Sequence, residues 1–77
     1  MESVTVFLRT ALFSLGGADS HLPAGVMVID GKIVDRPAGA LTVETSRLLD
    51  GRGRELGDQA LTLQLPWAKI DHILARD

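Results

Sequence analysis

None of the 77 residues is a cysteine, so neither a disulfide nor a thiolate metal site is available to hold this short chain together. A chain of this length makes one domain, residues 1–77, around a single core. Such a core buries about 60% of the surface exposed by the unfolded chain and supplies on the order of 3–5 kcal/mol. Material for a core is present. Leu, Ile, Val and Phe provide 24 residues, well above the level at which chains stay disordered. Apolar residues of all kinds make up 45% of the sequence, more than a domain this small can hide. The expected remedy is self-association into a homo-oligomer.

Eight basic residues against ten acidic ones give a formal net charge of −2 and a pI near 5.5, so no long-range positive field gathers nucleic acid. The two longest stretches without charge, Ser20–Ile29 and Gln59–Ala68, are ten residues each and contain a proline, too short to span a bilayer. No membrane partner is expected. Met1-Glu2-Ser3 lacks the basic start and apolar run of a secretory signal, so the expected location is the cytoplasm.

Turn-forming residues cut the rest of the chain into short apolar runs. Val4, Phe7, Leu8, Ala11, Leu12 and Leu15 fit a helical stripe, while Val4, Val6, Leu8 and Leu12 fit much of a strand face. The β-branched and aromatic run Val4-Thr5-Val6-Phe7 favours a strand over Val4–Leu15, ended by Gly16-Gly17 and followed by a loop from Ala18 to Gly25. Val26-Met27-Val28-Ile29 and Lys32-Ile33-Val34 flank Asp30-Gly31, the preferred pair for a two-residue type I′ turn, which predicts a tight hairpin there. Arg36-Pro37-Ala38-Gly39 is a second turn signal, and Ala40–Leu49 alternates as a strand with one wet face. Asp50–Asp58, with three glycines and five charges, reads as an exposed, mobile loop with almost nothing to hold it down. Leu61-Thr62-Leu63-Gln64-Leu65 alternates strictly until Pro66 cuts it off. Trp67–Arg76 reads two ways: as a helix started by Pro66 with Trp67, Ile70, Ile73 and Leu74 in a stripe, or as a strand with Ile70, His72 and Leu74 on one face.

Gly31-Lys32-Ile33-Val34, then Gly39-Ala40-Leu41-Thr42-Val43-Glu44, and finally Leu63-Gln64-Leu65-Pro66-Trp67-Ala68-Lys69-Ile70-Asp71-His72-Ile73 carry a resemblance to the Sm-like, or Hfq-type, small barrel. The resemblance implies an all-β fold: a small, strongly bent barrel of five to six strands (SH3-like or Sm-like), with a short helix at one terminus. It also makes Trp67–Arg76 a short turn and a closing strand. In that family a similar ending closes the barrel and pairs with the next subunit of a ring. The loop residues with which Sm-like proteins contact RNA have no clear counterpart here, so the resemblance implies a barrel and an oligomer more than RNA binding.

Gly51-Arg52-Gly53-Arg54 is the most suggestive local feature, since flexible glycines let two guanidinium groups approach a phosphate backbone. The ordinary alternative is a solvated loop whose arginines are offset by Asp50, Glu55 and Asp58. If RNA is a partner, Arg52 and Arg54 are its first contacts, with Lys32, Lys69 and Arg9 beside them. Asp71 and His72, adjacent on a strand, should point to opposite faces and form no side-chain hydrogen bond, leaving His72 a packed or interfacial imidazole. His21 reads as an exposed loop residue; it and His72 are 51 positions apart, so no metal site is expected. Asp30 reads as turn chemistry alone. Asp35, Glu44 and Asp50 form no pair spaced for acid and base work, and Gly16-Gly17-Ala18-Asp19 opens no helix for a phosphate. No catalytic residue and no cofactor is expected. Trp67, Ile70 and Ile73 are the candidates for a subunit interface. Three readings follow, in order: a non-enzymatic barrel that self-associates into a closed homo-oligomer, an Sm-like RNA-binding module, and an enzyme with a metal or acid–base site assembled between subunits from His21, Asp71 and His72.

Overall fold

The computed structural model describes residues 2–12 and 23–76. Six strands follow in chain order: β1 Glu2–Leu8, β2 Val28–Asp35, β3 Ala40–Leu49, β4 Glu55–Gly57, β5 Thr62–Pro66 and β6 Ile70–Ala75, the last two joined by a 3-10 turn over Trp67–Lys69. The fold is all-β. All pairings are antiparallel in one sheet of order β4-β3-β2-β1-β6, with β5 also pairing β3. Period-two alternation builds the core: Val4 and Val6 of β1, Ile29 of β2, and Leu41, Val43 and Leu48 of β3 are at most 1% exposed, with Leu65 and Ile70 completing the layer. Val26, fully buried just before β2, seals the end of that layer.

The sheet is open, not a closed barrel; β5 and β6 lie at opposite edges of it. It is nevertheless strongly curled. In a flat sheet β5 and β6 would stand four strand spacings apart, about 19 Å, yet the 3-10 turn that joins them advances only about 8 Å. Two irregularities of register assist the curl, one between Asp30 and Gly31 and one between Ile33 and Asp35. Each inserts an extra residue, Ser46 on β3 and Val34 on β2, and such bulges increase the local twist.

Several sequence expectations are corrected. Asp30-Gly31 is not a turn: β2 runs straight through it, Asp30 pairing Thr5 and Arg47, and Gly31 pairing Val4 and Thr45. Gly31 does not have the positive φ that a type I′ turn requires. Its lack of a side chain serves another need, because a Cβ there would stand 2.4 Å from the backbone oxygen of Glu44. The hairpin between β2 and β3 closes instead at the second turn signal, where Gly39 (φ 76) is left-handed and the Ala40 amide donates to the Pro37 carbonyl at 3.2 Å. The first strand stops at Leu8 rather than Leu15; Gly16-Gly17 and most of the 18–25 loop lie outside the described residues. Asp50–Asp58 is not all loop, since Glu55–Gly57 forms β4 against Leu48 and Leu49. Trp67–Arg76 is turn and strand, and the 3-10 turn is the sole helical element among the described residues, so no short terminal α-helix is found there. Among the same residues no helix is long and apolar enough to cross a membrane.

Candidate functional site

Asp50 organises the loop that carries the two candidate arginines. Its carboxylate Oδ1 accepts the backbone N–H groups of Arg52 and Arg54 at 2.8 and 2.9 Å, and its own N–H donates to the Arg54 carbonyl at 2.9 Å. Those donated hydrogen bonds from Arg54 and Arg52, with the two guanidinium charges behind them, hold the Asp50 carboxyl below its ordinary range. Gly53, at φ 83, supplies the left-handed step. The loop is therefore tied by its own first residue through polar links that a count of its apolar area leaves out. Aspartate as a local backbone acceptor was the overlooked signal. The Arg52 and Arg54 side chains are exposed and form no ion pair among the described residues.

Four of the five candidate basic residues gather at one end of the sheet. The Met27 amide donates to Leu49 and the Leu8 amide to Met27, both at 2.9 Å, so the loop after Leu49 and Arg9 after Leu8 emerge on the same side. Lys69 joins them: the Arg9 amide donates to its carbonyl at 2.8 Å, and the Lys69 Nζ donates to the Ala11 carbonyl at 3.2 Å. Arg9 Nε in turn donates to the Ile70 carbonyl at 3.2 Å. Lys32 is apart from this group, in mid-sheet between Ser3 and Glu44. Of the residues named for a subunit interface, Ile70 is buried in the chain's own core, Ile73 packs against that core, and Trp67 is 43% exposed.

Asp71 and His72 depart from expectation. Asp71 Oδ2 and His72 Nδ1 are hydrogen-bonded at 2.7 Å although the residues are adjacent. Phe7 pairs His72 and Leu8 pairs Ile70, which leaves Asp71 as an extra residue and suspends strict alternation at that point. The imidazole lies flat on Phe7, with ring centroids 4.3 Å apart, and remains open to solvent. His21 lies outside the described residues, and among those described no group of three or more His, Asp or Glu is placed to hold a metal.

The most developed polar cluster centres on a residue that the sequence reading assigned to a turn. Asp30 stands on the outer face of β2, where its Oδ2 accepts Arg47 Nη2 at 2.8 Å and Nε at 3.1 Å, and its Oδ1 accepts the Thr5 hydroxyl at 2.5 Å. Arg76 Nη1 donates to the Thr5 oxygen at 2.7 Å and reaches Asp30 Oδ1 at 3.4 Å, and the Ser46 hydroxyl donates to the Asp30 carbonyl at 3.2 Å. One carboxylate thus links β1, β2, β3 and the residue following β6. Burial opposes its ionisation, but the Thr5 and Arg47 hydrogen bonds and the charges of Arg47 and Arg76 outweigh burial and leave its pKa lowered. A groove of about 700 Å³ opens over this cluster, with Lys32, Glu44 and Asp58 also on its walls. Thr5, Arg47, Arg76 and Asp58 are the site residues that sequence reasoning passed over. The available signal was the outward alternation Val28, Asp30, Lys32, visible only once β2 is read as continuous.

Comparison of the chain with protein-family models, with curated proteins and with solved structures returned no match.

Proposed function

We propose that this chain is a non-enzymatic small-barrel protein of the Sm-like kind that assembles with copies of itself into a closed homo-oligomer. The observation that carries the reading is the pair of open edges: among the described residues β5 pairs with no strand but β3, and β6 with no strand but β1. Unpaired edges are templates for another strand. A two-fold contact at either edge would leave the other exposed, whereas β5 of one copy beside β6 of the next consumes both and propagates to a ring. Exposed apolar side chains flank these edges, Trp67 in the turn between them and Leu74 on β6, 43% and 52% exposed. The last strand beside the first, reached through a three-residue turn from β5, supports the barrel reading. Light scattering after size exclusion should give a monodisperse mass of at least three times 8.3 kDa. A stable species of one chain at micromolar concentration contradicts the proposal, and a dimer contradicts the β5-to-β6 pairing.

A second reading, binding of single-stranded RNA, is favoured by one observation, the convergence of Arg9, Arg52, Arg54 and Lys69 at one end of the sheet. A ring would repeat that end on every subunit and concentrate charge that a single copy lacks. The expected result is salt-sensitive binding by fluorescence anisotropy, with the joint variant Arg52→Ala, Arg54→Ala lowering the slope of log affinity against log salt by about 1.4. Absence of binding by the native protein at low salt removes this reading.

A further inference from the structure

We propose that the groove over Asp30 binds a zwitterionic small molecule, its anionic group toward Lys32 and Arg76 and its cationic group toward Glu44 and Asp58. The site lies on the outer face of the sheet and is lined by residues of a single copy, so it does not depend on that assembly.

The argument is one of charges left over. Asp30 and Arg47 neutralise each other through two hydrogen bonds to one oxygen. What remains is separated across the groove. Arg76 gives its shortest bond to the Thr5 hydroxyl, keeps a half-exposed side chain and carries its charge on the β1 side, where its amide donates to the Ser3 carbonyl at 2.9 Å. Lys32 pairs Ser3 from the β2 side. Glu44 of β3 stands directly beside Lys32 in the ladder, and Asp58, which follows β4, lies beyond it on the β3 side. Lys32, Glu44 and Asp58 enter no ion pair among the described residues. A purely anionic ligand would meet Glu44 and Asp58 unfavourably, and a purely cationic one would meet Lys32 and Arg76. A ligand bearing both charges satisfies both walls.

Size agrees with this chemistry. A volume of about 700 Å³ falls in the range of small-molecule sites. Arg76, Ser3, Lys32 and Glu44 follow one another across the sheet, so Glu44 lies from one strand spacing (Lys32) to three (Arg76) from the cations, about 5–14 Å. A tripeptide in extended form spans about 10 Å between its termini, which makes trialanine with free termini a suitable probe. Asp30 fixes Arg47 and steadies Arg76, so one of the four ligand-facing side chains is already ordered before binding.

The test is titration of isotopically labelled protein with trialanine, followed through the backbone amides of Gly31, Glu44 and Ser46. The expected result is saturable shifts at those amides, weakened about tenfold when either terminus is blocked, by acetylation or by amidation. Lys32→Met and Glu44→Gln, both at exposed positions, should each weaken binding about tenfold while the thermal melt stays unchanged. No saturable shift up to about 10 mM peptide overturns the proposal. Sensitivity to only one blocked terminus overturns it too, because the groove would then recognise a single charge.

Discussion

Gly31→Ala should leave much of the protein unfolded at 25 °C. The added methyl group would lie 2.4 Å from the Glu44 backbone oxygen and 3.0 Å from Val43 Cγ1, and the oxygen belongs to a paired strand that cannot retreat without breaking the ladder between β2 and β3. Overpacking of this kind costs about 3 kcal/mol, against a total stability on the order of 3–5 kcal/mol for a core of this size. Urea denaturation followed by far-ultraviolet circular dichroism measures the loss directly. A midpoint unchanged from the native protein would mean that Glu44 and Gly31 do not approach as described, and would reopen the hairpin that the sequence suggested.

Asp30→Ala should be the next most damaging exposed-face change, at about 2–3 kcal/mol. It removes the acceptor for Thr5, which is 4% exposed, and for Arg47 and Arg76, and so removes the side-chain link between β1, β2, β3 and the residue that follows β6. The same carboxylate predicts a pH dependence. Its folded pKa lies below the ordinary 3.8, so its contribution is complete above that value and disappears as pH falls through the folded pKa. Melting curves of the native protein and of Asp30→Ala, taken from neutral pH downward, should run apart and converge in acid below about pH 4. Asp50 titrates in both and cancels in the difference. Parallel curves down to the lowest pH would show that Asp30 contributes nothing as an anion.

Much of the strand pattern was legible because local rules agreed. Ala40–Leu49 follows a proline and a left-handed glycine and alternates with one wet face, and β3 spans those same residues. The strict alternation around Thr62–Leu65 gave β5, although Pro66 is its last residue rather than a residue outside it, as edge strands tolerate. The failures share a cause, the presence of a partner distant in sequence. Asp-Gly ordinarily turns; here the glycine admits a carbonyl from another strand, a contact that nothing between Val26 and Val34 announces. The Asp30 cluster was invisible because Arg47, Thr5 and Arg76 stand 17, 25 and 46 positions away. Asp71 and His72 were assigned to opposite faces by a rule that a one-residue bulge cancels. The basic end of the sheet also required the fold, since Met27, hydrogen-bonded to both Leu8 and Leu49, is what brings Arg9 and the loop after Leu49 to the same side.

The central claim, that the free edges of β5 and β6 are covered by neighbouring copies, is tested most directly by amide hydrogen exchange as a function of protein concentration. The Ile70 amide is held by the Trp67 carbonyl, whereas the amides of Asp71–Ala75 that point away from β1, and those of Thr62–Leu65 that point away from β3, face no neighbouring strand within one copy among the described residues. The account predicts that both sets are protected at high concentration and lose protection together on dilution, while amides between β1 and β2 stay protected throughout. Fast exchange of the two outer edges at every concentration would contradict it.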